Sequence, residues 1–259
     1  MALNRMKLHY QRSGSGQPLV IVHGLFGSSD NWRTVAKHCA SHATVITLDL
    51  RNHGRSPHHP EMTYPVMAED IAELMQDLDI EQADMLGHSI GGKVVMTLSE
   101  MYPHLIRRMG IVDIAPKRYP PAHTVIIQAL RALDLSQFQQ RRELDAALSE
   151  SIPDKAVRQF LLMNVEGRSP PFRWRINLPA IEQNYPELLK AVCQHTVVHI
   201  PTCFIRGGRS SYITDEDEAG MRRIFPQSEI QTVQDAGHWV HADSPAAFLA
   251  TINAFFYDD

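Results

Sequence analysis

Residues 87–92 read GHSIGG and stand between an apolar run and a helix-like stretch. A serine framed by Gly87 and Gly91 has a mechanical logic. On a tight strand-to-helix turn, side chains two residues to either side would collide with neighbouring elements, whereas glycines leave the Ser89 hydroxyl exposed. The helix that follows points its first N–H groups at any negative charge forming beside that oxygen. A serine hydroxyl alone is a poor nucleophile at neutral pH and needs a base within hydrogen-bond reach. The candidate base is His238, in the glycine-containing loop of DAGHWVHADSP (235–245). His241 is its rival, but it falls where the final helix begins and reads as a partly buried histidine against that helix. HGLFGS (23–28) ends an earlier apolar run, and its glycine turn can aim backbone N–H groups at the same oxyanion. Leu25, with Phe26 as second choice, and Ile90 are the expected donors. His23 and His88 read as packing beneath the site.

Such a constellation needs a rigid scaffold. Apolar runs bounded by turn signals recur at PLVIVHG (18–24), ATVITLDL (43–50), ADMLGHS (83–89), MGIVDIAP (109–116), PTCFIRGG (201–208) and EIQTV (229–233). Runs of this length, rich in Val, Ile and Leu, predict strands buried on both faces of a parallel sheet. Helical stretches such as MAEDIAELMQDLDIEQ and GGKVVMTLSEMYPHLI lie between several of them, so the expected class is α/β, a mostly parallel sheet flanked by helices. From Lys117 to Thr196 helical patterns continue without a convincing long strand. The expected organisation is therefore a core of residues 1–116 and 197–259 with a helical cap inserted at 117–196.

Composition narrows the function. The chain has 259 residues, 44% of them apolar, a formal net charge of −4 and a pI of about 6.4, which argues against a general nucleic-acid binder. Cys39, Cys193 and Cys203 are odd in number and lack CxxC spacing, which argues against a disulfide framework or a structural zinc. His38 and His42 have helical spacing but no acidic companion and read as a surface helix end, and His58-His59 as exposed loop. No metal or cofactor is called for. The first residues contain no apolar leader segment and no run is long enough to span a bilayer, so a soluble protein of the reducing cytoplasm is expected.

Taken together, HGLFGS, DLRNHGRS (49–56), GHSIGGK (87–93), VDIAP (112–116), WRINLP (174–179) and GHWVHA (237–242) resemble the α/β-hydrolase family, and within it the small bacterial esterases of the YbfF type. The resemblance runs nearly end to end. It implies an α/β-hydrolase fold and hydrolysis of a small acyl ester through an acyl-enzyme on Ser89. Hydrolysis of an acyl thioester such as an acyl-CoA uses the same parts, and an inert binding protein on the same scaffold is a reading of a different class. Haloalkane dehalogenase or epoxide hydrolase chemistry would want an aspartate at the elbow, where this chain has Ser89.

The family's more common acid position is the loop after PTCFIRGG, and there FIRGGRSSY (204–212) has no carboxylate. Ser210 stands where the aspartate would. Asp113 interrupts an apolar run near its end, 24 residues beyond Ser89, where a buried charge demands a partner. It is the expected acid, and the resemblance agrees, since some members place the acid after this strand. Asp215 and Asp217 are rivals, and Asp235 lies too close to His238 in sequence to face it well. Arg51 and Arg55 read as ties within the DLRNHGRSP loop. The 117–196 segment carries 11 Lys/Arg and 8 Asp/Glu, less acidic than the rest of the chain. Phe26, Trp174 and Arg175 are the expected substrate-pocket residues, with Arg173 to Arg175 also able to anchor the cap to the core.

Overall fold

The computed structural model describes residues 6–258. Seven strands form one sheet in the order β1-β3-β2-β4-β5-β8-β9. They are β1 (Tyr10–Ser13), β2 (Pro18–Val22), β3 (Thr44–Leu48), β4 (Ala83–His88), β5 (Ile106–Val112), β8 (Thr202–Gly207) and β9 (Ser228–Val233). β1 runs antiparallel to β3 at the sheet edge, and all other pairings are parallel. The six longer strands coincide with the six apolar runs. β1 carries no such run: all four of its residues are exposed, so its pairing rests on backbone hydrogen bonds rather than burial.

Successive side chains of a strand point to opposite faces, and β2 shows the result. Val20 and Val22 face a core shared with α2 (Tyr64–Asp77) and α3 (Ile90–Met101). Leu19 and Ile21 face a second core with α1 (Arg33–Cys39) and α10 (Pro245–Phe256), built on Trp32, Phe248 and Phe256. The sheet is thus buried on both faces, which fixes the register of every central strand. The short helices α8 (Glu218–Ile224) and α9 (Val240–Asp243) complete the layers around the last two strands.

Between β5 and β8 the chain forms α4 (Thr124–Ala132), α5 (Arg141–Leu148), α6 (Lys155–Leu162) and α7 (Leu178–Leu188), with a two-residue pairing of β6 (Val165–Glu166) and β7 (Arg173–Trp174). Local capping helps these short helices: the Asp154 carboxylate accepts the Ala156 and Val157 N–H groups at the start of α6. Polar ties hold the segment to the sheet's carboxyl edge. The Asn164 amide donates to the Phe26 carbonyl at 2.7 Å, the Asn177 N–H to the Asn52 carbonyl at 2.9 Å, and the Tyr64 hydroxyl to the Leu188 carbonyl at 2.6 Å. Among the described residues, no helix is long and apolar enough to cross a membrane.

Candidate active site

The end of β4 turns into α3 at Ser89, whose φ of 52° lies in the left-handed region that a non-glycine residue rarely adopts. The flanking glycines make the turn possible. A Cβ on Gly87 would sit 2.5 Å from the Gly91 carbonyl oxygen, and one on Gly91 would strike the Val22 and His23 carbonyls where neighbouring β2 ends. Backbone strain of this kind persists where the surroundings over-determine it, commonly at functional sites.

Three side chains from three loops meet at this edge. The Ser89 hydroxyl lies 3.1 Å from His238 Nε2, and His238 Nδ1 lies 2.7 Å from Asp113 Oδ2. Asp113 sits one residue beyond β5, with φ of 50°, and is wholly buried. Its other bonds come from the next strand's loop: the Gly207 N–H donates to Oδ1 at 3.0 Å and the Ser210 hydroxyl to Oδ2 at 2.5 Å. The serine at the family's more common acid position is therefore a donor to the carboxylate on the adjacent strand. Tyr212, two residues on, stacks on the His238 ring with centroids 3.8 Å apart and planes 19° apart. The other acids are committed elsewhere: Asp215 to Arg206 at 2.6 Å on the surface, and Asp217 to Lys117 at 2.5 Å.

Four buried histidines around the site, His23, His53, His88 and His241, are held as neutral groups. The Leu50 N–H donates to His23 Nε2 at 2.9 Å, and the Phe26 N–H to His53 Nε2 at 3.1 Å. Burial lowers the pKa of His23 and pushes that of His53 down to about 3. His88 Nε2 donates to the His238 carbonyl at 2.9 Å and so steadies the His238 loop; burial takes its pKa well below the ordinary range. His241 stacks on Trp32 at 4.3 Å, and burial pushes its pKa down to about 4. His53 occupies the Phe26 N–H, whereas Leu25 lines both of the spaces that open beside Ser89. Ile90 heads α3, where an N–H has no intrahelical acceptor.

Two cavities open from Ser89. The first, about 210 Å³, is lined by Phe26, Trp32, Phe160, Leu161, Trp239 and His238 among others. The second, about 350 Å³, runs under Tyr64, Ile114, Tyr119, Tyr185, Leu188 and Lys93. Phe26 is part of the wall of the first. Trp174 and Arg175 line neither cavity. Trp174 pairs across the short β6–β7 ladder, and the Arg175 guanidinium lies 3.4 Å from Asp30, an anchor to the core. Arg51 is likewise structural, gripping Asp70 through two bonds of 2.6 and 2.7 Å.

Lys93 escaped the sequence reading. It is buried one turn beyond Ser89, and its Nζ donates to the Lys117 and Lys190 carbonyls at 2.8 and 2.6 Å. Burial lowers its pKa to about 7, and the Tyr119 ring lies 4.9 Å from Nζ. One charge inside the apolar stretch GGKVVMTL was the available signal. Among the described residues, no group of three or more His, Cys, Asp or Glu is placed to hold a metal ion.

A strained serine elbow, a histidine on the last long loop and an acid on a neighbouring strand sit on a seven-stranded, mostly parallel sheet, and residues 17–245 match the family described as the alpha/beta hydrolase fold. The chain belongs to the α/β-hydrolase family. Within the family it is 38% identical over 255 residues to the sn-1-specific diacylglycerol lipase ABHD11 of Danio rerio, covering 95% of this chain and 80% of that one. It is 35% identical over 260 residues to Esterase YbfF of Escherichia coli, covering both chains completely. A solved structure titled "Marine microorganism esterase" superposes with a TM-score of 0.94 at 37% identity, over 97% of this chain and all of that one.

Proposed function

We propose that this hydrolase cleaves carboxylic esters of small molecules through an acyl-enzyme on Ser89. The observation that carries the reading is the continuous hydrogen-bonded line from Ser89 Oγ through His238 to buried Asp113. Relatives named as an esterase and a diacylglycerol lipase support an ester in place of a thioester.

In this mechanism Ser89 Oγ attacks the ester carbonyl carbon while His238 Nε2 takes the hydroxyl proton. The carbonyl π electrons move to oxygen, and the Leu25 and Ile90 N–H groups receive that oxyanion. Asp113 keeps Nδ1 protonated, so Nε2 is the basic nitrogen, and its charge stabilises the imidazolium that forms. Collapse breaks the bond to the alcohol oxygen, which takes the proton from Nε2. Water, deprotonated by His238, repeats the sequence on the acyl-serine and frees the acid.

His238 lines the first cavity and not the second. The departing alcohol, which must receive its proton from His238, therefore occupies the first cavity, and the acyl group the second. Residues 117–196 act as a helical cap whose α4, α6 and α7 supply walls to these spaces. The three cysteines, free and buried, fit a cytoplasmic setting.

Ser89→Ala tests the reading. The variant is expected to keep the wild-type melting temperature while losing about 10⁴-fold or more in kcat. Fluorophosphonate labelling is expected to vanish with it. Labelling that persists on another residue of the folded variant would remove Ser89 from the mechanism.

A further inference from the structure

Four residues line both cavities: Leu25, Ser89, Tyr212 and His123. The first two hold the reacting carbonyl in the mechanism above, and Tyr212 backs the base. His123 has no role in that scheme. It stands at the N-terminus of α4, on the segment inserted between β5 and β8, and is the residue of that segment placed at the junction where an ester must lie.

Its proton placement follows from Tyr185. The His123 backbone N–H donates to the Tyr185 hydroxyl oxygen at 2.7 Å, and that hydroxyl lies 3.3 Å from His123 Nδ1. With its oxygen accepting the backbone proton, the hydroxyl is free to turn its own hydrogen to Nδ1, and we assign the tautomer in which Nδ1 accepts it. Nε2 of the neutral ring therefore carries the hydrogen. Burial, with His238 close by, pushes the His123 pKa down to about 4, so the ring stays neutral at ordinary pH. Among the described residues Nε2 has no hydrogen-bond partner. Phe26 meets the ring edge-on at 6.2 Å and holds it from the other side.

We propose that His123 is a specificity-determining residue: its Nε2–H donates to an acceptor oxygen in the alcohol portion of the ester, a few bonds beyond the scissile oxygen. The proposal rests on the serine-esterase reading. A neutral donor at this junction rewards a substrate oxygen and leaves an unmet N–H when a methylene stands there. The ligand class is thus an ester of a polyol or ether alcohol, in preference to an ester of a plain alkanol.

2-Methoxyethyl butyrate and butyl butyrate test it, because they differ only by an ether oxygen in place of a CH₂ and the ether cannot donate. The quantity read is the ratio of their kcat/KM values in wild type, His123→Phe and His123→Gln. His123→Phe is expected to lower the methoxyethyl-to-butyl ratio about fivefold, the value of one neutral hydrogen bond. Butyl butyrate is the internal reference, so that a loss common to both esters cancels in the ratio. His123→Gln, which can present an amide N–H, is expected to restore most of the ratio. A ratio in His123→Phe equal to wild type would overturn the proposal, as would equal losses on both esters. A wild-type protein that turns over neither ester and takes no fluorophosphonate would instead sink the esterase reading beneath it.

Discussion

The loops that follow β5 and β8 both approach His238, yet their carboxylates have opposite surroundings. Asp113, at the end of β5, is wholly buried and takes hydrogen bonds from His238, Ser210 and the Gly207 N–H. Asp215, beyond β8, has a side chain 86% exposed and pairs with Arg206. A charge in water is screened and mobile, whereas a desolvated one with fixed donors acts on its neighbour at full strength and in one direction. Of the two carboxylates, Asp113 has the depth and the orientation that suit it to support an imidazolium. The β8 loop helps to hold this carboxylate, since the Ser210 hydroxyl and the Gly207 N–H both donate to it.

That contrast can be broken most forcefully at Asp113. The Gly207 N–H demands an oxygen at Oδ1, so in Asp113→Asn the amide NH₂ must face His238. Nδ1 would then accept, Nε2 would carry the hydrogen, and the ring could no longer deprotonate Ser89. The expected loss in kcat is about 10⁴-fold, as for the equivalent change in a serine protease. Near-normal steady-state turnover by a folded Asp113→Asn protein would mean the acid lies elsewhere.

Moving the acid across the gap comes next in size. Ser210→Asp in the Asp113→Asn background puts a carboxylate within reach of the same histidine. It is expected to recover about tenfold to a hundredfold of the lost kcat, a coupling typical of groups in contact. No recovery would show that the β8 loop can fasten an acid but cannot host one.

Ser210→Ala separates fastening from chemistry. It removes a hydrogen bond to a charged acceptor, and kcat is expected to fall about tenfold with KM little changed. An unaltered kcat would reduce Ser210 to packing. The smallest effect belongs to Asp215→Asn, which breaks an exposed ion pair and is expected to leave kcat within about twofold of wild type. A loss approaching that of Asp113→Asn would reverse the comparison.

The buried strands could be read from the chain because a strand covered on both faces must be apolar at nearly every position, as TVITL of β3 is. β1 could not, since its hydrogen bonds to β3 leave no trace in side-chain type. Ser89 was legible because its geometry is local: the glycines that relieve the turn stand two residues away. Tyr212 and His123 gave no such signal. Each takes its place through a neighbour far along the chain, Tyr212 against His238 and His123 against Tyr185. Trp174 and Arg175, which the sequence left open between pocket and anchor, are placed by the β6–β7 pairing and by Asp30 outside the two cavities.

By itself the sequence determined the layered α/β class, the serine elbow and the loop that carries His238, all set by contacts within a few residues or by continuous burial. For the acid it put Asp113 first, with Asp215 and Asp217 as rivals. Only the tertiary structure brought Asp113 to His238 across 125 residues of chain. The same assembly set Ser210 on the acid and His123 over the junction of the two cavities. The reason is physical: a carboxylate's reach and desolvation depend on which strands are neighbours and where each one ends, and strand adjacency is settled by packing the whole sheet at once.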